Sequence, residues 1–209
     1  MAVNSNCSQY FKEIPALGIV LEQMIRREFE QELMTSRMRV VYVLWLGMAA
    51  TAVIIGIVVW VMAEEWVGRE PLLPDDRFIP VFHALAFCAA LASFVIRRIL
   101  LAPSHLAKDS ESLKVSLEQS GLSKATNELE IRAEISFLRF QSGSLATWAM
   151  CDAICILGFI LSYSTGDPNH AYQLCIATVL LILLLHKPAT GNLTEALSLL
   201  KRQGVGILD

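Results

Sequence analysis

The sequence predicts an all-α integral membrane protein of four spans arranged as two hairpins. Both termini lie on the cytoplasmic side, with amphipathic cytoplasmic helices around and between the spans. Three observations predict it. Hydrophobic residues make up 55% of the 209 residues and charged residues only 18%, against roughly 25% charged in ordinary soluble domains. The apolar excess is gathered into four runs. Residues 40–63, 78–96 and 168–186 carry no charge, and residues 140–166 carry one, Asp152. Lys and Arg, finally, are distributed very unevenly around those runs.

A hydrocarbon core about 30 Å thick takes about 20 helical residues, and a helix satisfies its own backbone groups without water. Soluble helices are rarely apolar on every side, so four such runs in a short chain do not read as a soluble core. The composition excludes disorder and small disulfide scaffolds. A net charge of −3 gives no support for a nucleic-acid partner.

Residues 1–38 form the first segment, read as a cytoplasmic amphipathic helix. Leu17, Leu21, Ile25, Phe29 and Leu33 repeat every four residues, with Arg26, Arg27, Glu30 and Glu32 off that stripe. Its apolar face suits packing against the chain's own cytoplasmic helices, or a membrane surface or partner. No cleavable signal is visible, because the first apolar run follows Glu22, Glu28, Glu30 and Glu32. The first span is therefore expected to remain as an anchor.

Residues 39–101 form the first transmembrane hairpin, with Pro71, Pro74, Asp75 and Asp76 in its external loop. Residues 102–142 form a cytoplasmic helical linker. Pro103 stops the second span, residues 110–120 look helical before Gly121, and Ser123 can cap a further helix that continues into span three, with Gly143 offering a bend. Residues 143–188 form the second hairpin, turning at the polar, Gly- and Pro-bearing stretch 164–169. Residues 189–209 form a cytoplasmic tail.

Orientation follows from the basic residues. Five precede span one, two lie in the first loop, seven lie between spans two and three, none between three and four, and three follow span four. Fifteen thus share one side and two the other, which the positive-inside rule assigns to the cytoplasm. The expected location is the inner (plasma) membrane, multi-pass, with the lipid bilayer as the first partner. Arg39, Arg97, Arg98 and Lys187 mark the interface, and Trp45, Trp60, Trp66, Tyr163 and Tyr172 lie toward span ends.

Asp152 is the acidic residue inside a span. It lies about 12 Å past the start of span three at about 1.5 Å per residue, where a charge costs roughly 2.5–3.5 kcal/mol on insertion scales. Such a residue reads as a proton or cation site, or as a hydrogen-bonded Asp tying helices together. Gly47, Ala90 and Thr178 fall at a similar depth. Thr178 and His83 are the candidates to join Asp152 in an ion or proton site. Cys151 and Cys155 lie four apart and, with Asp152 and His83, could bind a soft metal; the plainer reading is that cysteine packs here as a small apolar residue. No metal or other cofactor is assigned. Cys7 and four thiols within the spans do not suggest disulfides. With no Gly-rich phosphate loop, nucleophile elbow or paired carboxylates, no enzyme is expected.

Residues 147–158, TWAMCDAICILG, carry an A-x-x-E-A-x-x-x-x-G pattern with Asp152 in place of Glu. Gly166-Asp167 follows, then His186-Lys187-Pro188, then a short amphipathic helix around Leu193, Leu197 and Leu200. Over residues 130–200 this resembles a group of small, uncharacterised prokaryotic four-span membrane proteins, which implies an inner-membrane location. The same stretch is similar to the carboxylate helix of rotary ATPase proteolipid subunits. It departs from them in carrying the acid on the first helix of its hairpin, and in lacking their alternating-glycine helix.

The leading functional reading is a non-enzymatic membrane component, either a homo-oligomer or an accessory subunit among other membrane-protein subunits. The second is a proton or ion pathway through Asp152. The third is a membrane thiol or metal site.

Overall fold

The computed structural model describes residues 31, 33–66, 72, 77–108, 128–188 and 190–205. The expected amphipathic stretch before residue 31, the helix over 110–120 with Gly121 and Ser123, and loop residues Pro71, Pro74, Asp75 and Asp76 lie outside them. The chain divides into two units, Met1–Val40 and Val41–Asp209. In the first, a π-helical turn Leu33–Arg37 leads into the next helix.

Every regular element among the described residues is helical. Helix α1 spans Met38–Trp66, α2 Phe78–Leu100, α3 Pro103–Leu106, α4 Glu128–Thr165, α5 Asn169–Leu180 and α6 Thr190–Val205. Three helices are long and apolar enough to cross a membrane: Thr35–Trp66, Phe78–Leu100 and Glu130–Thr165. The fourth apolar run is shorter. Its 12 helical residues and a 5-residue π turn, Leu181–Leu185, reach about 26 Å at about 1.5 Å per residue. It attains span length only together with α6, across a 41° bend. The count is three, or four if that bent pair is one span.

The π turn is marked by its closing hydrogen bond. The His186 N–H bonds to the Leu181 carbonyl at 2.9 Å, five residues back. Carbonyls at this end are then taken by indoles from other helices. Trp45 Nε1–H donates to Ile182 O at 2.9 Å and Trp148 Nε1–H to His186 O at 3.0 Å.

Helix α4 is the centre of the second unit. It packs against α2, α3, α5 and α6, and small residues set the crossings. Ala86 and Ala89 of α2 meet Ile154 and Leu174, while Ala49 and Ala52 of α1 meet Cys151 and Cys155 respectively. Small side chains let backbones approach. Gly158 is the clearest case, since a Cβ there would stand 2.8 Å from Leu174 Cβ and 3.3 Å from the Ala171 backbone. Helix α4 runs unbroken through Gly143, so the bend expected there is replaced by a close approach. A Cβ at Gly143 would lie 2.9 Å from Leu101 Cδ2 and 3.0 Å from Leu100 Cβ.

The turn between α4 and α5 needs a left-handed residue. Gly166 has φ 77°, and its N–H bonds to Ser162 O at 2.9 Å. Asp167 Oδ1 accepts from the Asn169 backbone N–H at 3.0 Å and from its Nδ2 at 2.8 Å. At the other end, α3, the first part of α4 and α6 pack together. Helix α6 buries Leu193, Ala196, Leu197 and Leu200, the i, i+3, i+4, i+7 face of an amphipathic helix. The outer face of α1 stays apolar, with Trp60 exposed. Trp66, by contrast, is buried edge-on between Phe159 and Tyr163 and packs α1 against α4.

Candidate functional site

Trp148, Asp152, Cys155 and Phe159 follow one another at i, i+4, i+7 and i+11, which places them on one stripe of α4. Asp152 is 8% exposed, and its Oδ1 is buried with no hydrogen-bond partner among the described residues. Leaving a buried polar atom unmatched costs about 1–3 kcal/mol, so this oxygen is a place where the fold tolerates a loss.

Thr178 reaches the backbone of α4 one residue before Asp152. Its hydroxyl lies 2.9 Å from Leu174 O and 3.1 Å from Cys151 O, the residue before Asp152. Its single proton is shared between backbone carbonyls and ties α5 to α4. His83 is not brought to Asp152. Helix α2 packs on the Ile154 side of α4, about 200° around the helix from Asp152 at about 100° per residue. His83 Nδ1–H donates to Ile79 O at 2.9 Å, and its ring lies edge-on to His170 with centroids 5.4 Å apart. His170 Nε2 is in turn 3.8 Å from Asp167 Oδ2. The candidate residues therefore fall into two places, the Asp152 stripe with neighbouring Thr178, and a histidine pair near the α4–α5 turn.

The thiols pair differently from the sequence expectation. Cys155 faces Cys175 of α5, with sulfurs 2.7 Å apart, and its Sγ lies 3.9 Å from Ala52 O. Cys151 packs against Ala49 and Ile182 instead. All four described cysteines are free thiols. Among the described residues, no group of three or more His, Cys, Asp or Glu side chains is placed to hold a metal.

A buried network missed by sequence reasoning joins α2 to the end of the π turn. Ser93 Oγ–H donates to Ala90 O at 2.7 Å, so its lone pair accepts from His186 Nε2–H at 3.0 Å. The lone pair on His186 Nδ1 then faces Arg97 Nη1 at 3.4 Å, and Arg97 Nη2 donates to Lys187 O at 2.9 Å. A nucleophilic serine needs a histidine that takes its proton; here the histidine gives one. The arrangement is a clamp. It also gives Arg97 a definite task beyond marking an interface, while Arg39, Arg98 and Lys187 are exposed.

No family model, curated protein or solved structure matches this chain.

The Cys155–Cys175 pairing had a signal in the sequence. The two residues lie ten positions on either side of Thr165, where α4 ends, and residues equidistant from a helical turn stand at one level. Cys151 and Thr178 fall one residue off that register, fourteen and thirteen positions from Thr165.

Proposed function

We propose that the chain is a multi-pass inner-membrane protein with both termini cytoplasmic, acting as a non-enzymatic component that assembles with further copies of itself or with other membrane subunits. The observation that carries this reading is the outer face of α1. Gly47, Ala50, Thr51, Ile54 and Val58 share one helical face and are all exposed. A Cβ built on Gly47 meets nothing within 4 Å among the described residues, so their packing has no use for that glycine. Glycine inside a helix costs about 1 kcal/mol relative to alanine, and small residues on one face are what membrane helices use to approach each other. The polar side chains inside the bundle support the same reading. Trp45, Trp148, Thr178, Ser93 and His186 are all engaged in helix-to-helix joints.

The test is Gly47→Leu in the full chain extracted in mild detergent. The wild type is expected to migrate as an assembly and the variant as a smaller species, with its helical fold retained by far-ultraviolet circular dichroism. Equal assemblies for both would overturn the reading. Reporter fusions at Asp75 and Asp209 test the orientation; a periplasmic Asp209 contradicts it.

A second reading, a proton or ion pathway, is favoured by one observation, the unpartnered Oδ1 of Asp152. Proton flux in proteoliposomes that disappears in Asp152→Asn would support it. Flux equal to that of empty liposomes removes it.

A further inference from the structure

Cys155 and Cys175 lie on different helices, are both buried, and are free thiols 2.7 Å apart. A disulfide has its sulfurs about 2.04 Å apart, so closure asks for a shift well under the width of an atom. Cys175 also lines an apolar groove between α1 and α5. The groove encloses about 470 Å³ and is bordered by Ala52, Gly56, Trp60, Tyr172 and Val179. Cys155, with no exposed surface, lies behind it. Cys175 is thus reached from the apolar side of the protein, along a groove flanked by Trp60 and Tyr172, and an oxidant arriving that way must itself be apolar.

We propose that Cys155 and Cys175 are a redox-active dithiol that closes to a disulfide across the α4–α5 contact, with a lipid-soluble quinone as the two-electron acceptor. It rests on the membrane reading above, because the groove then opens to the bilayer where such quinones dissolve. The step balances. Two S–H bonds break, one S–S bond forms, and two protons and two electrons pass to the quinone's carbonyl oxygens, giving the hydroquinone.

The experiment uses the full chain in lipid nanodiscs under anaerobic conditions, with a short-tailed ubiquinone as the probe. Thiols are counted by a maleimide mass tag after denaturation, and hydroquinone by its ultraviolet absorbance. The expected result is two thiols lost per quinone reduced, with peptide mapping placing the link between Cys155 and Cys175. Cys175→Ala should keep Cys155 reduced and leave the quinone oxidised. Gly56→Leu, at a position where a Cβ meets nothing within 4 Å, should slow the reaction several-fold by filling the groove; Val53→Trp fills it from an exposed neighbour if that variant folds poorly. Nanodiscs containing the chain with all its thiols intact, or a link through Cys88 or Cys151, would overturn the dithiol. Unchanged rates in both groove variants would overturn the quinone route. A chain that does not enter nanodiscs at all overturns the membrane reading instead, and the proposal with it.

Discussion

Trp148 and His186 are joined across α4 and the end of the α5 segment by one hydrogen bond, the indole Nε1–H donating to the His186 carbonyl at 3.0 Å. Both residues are buried, and the His186 ring is held separately by Ser93 and Arg97. One residue thus closes the fourth apolar run onto α4 through its backbone and onto α2 through its side chain. Phe94 lies against the same ring, with centroids 4.9 Å apart.

Trp148→Phe keeps most of the ring and removes the donor. The expected loss is about 0.6–2 kcal/mol, the range for interhelical hydrogen bonds in membrane bundles, read as a lower thermal midpoint in detergent. Trp45→Phe removes the matching bond to Ile182 O and should lose a similar amount. A midpoint unmoved in both would show that the indoles fill space only.

Two glycines should respond in opposite ways to the same change. Gly158→Ala puts a methyl 2.8 Å from Leu174 Cβ and 3.3 Å from backbone atoms of α5. Overpacking of that kind costs about 1–3 kcal/mol. Gly47→Ala meets nothing among the described residues and, in the single chain separated from any assembly, should gain up to about 1 kcal/mol from helix propensity. Thermal unfolding of the two variants side by side checks both signs.

Ser162 caps α5 from α4. Its hydroxyl accepts the Ala171 N–H at 2.7 Å while it has no exposed surface. Ser162→Ala should destabilise by roughly 0.5–2 kcal/mol, as loss of a helix cap does. Hydrogen exchange should show faster opening at the start of α5, with α2 unchanged.

Asp152→Asn separates the two functional readings. A scaffold should keep its assembly state, because the carboxyl oxygen Oδ1 makes no hydrogen bond that the amide would break. Asp152→Leu, similar in bulk and apolar, should be neutral or stabilising by the same argument. Detergent-extracted assemblies of both variants that match the wild type in size fit this; dissociation of either would give Asp152 a part in assembly.

Much of the fold was legible in the sequence, for physical reasons that differ by element. Charge-free runs mark α1 and α2 because a long apolar helix needs no partner to be recognised. The turn at Gly166 was legible because only a glycine suits its positive φ, and α6 because Leu193, Leu197 and Leu200 repeat at helical spacing. The fourth run reads as a full span from composition, yet its helix stops at Leu180 and widens into a π turn. That break depends on tertiary bonds from Trp45, Trp148, Ser93 and Arg97, which no local pattern encodes. For the site, depth arithmetic set Thr178 level with Asp152, and the Thr178 hydroxyl meets the carbonyl of Cys151, one residue earlier. It could not say which side of α4 each neighbour occupies, and so it grouped His83 with Asp152 although α2 packs on the opposite side. The same gap hid Cys175 as the partner of Cys155.

Assembly through the outer face of α1 is read out by native mass spectrometry of the full chain released from lipid nanodiscs. The expected masses are those of two or more copies of the 23.2 kDa chain, or of one copy with a second membrane protein, and they should be lost in Gly47→Leu. A single 23.2 kDa species in the wild type, under conditions that preserve other membrane complexes, would contradict it.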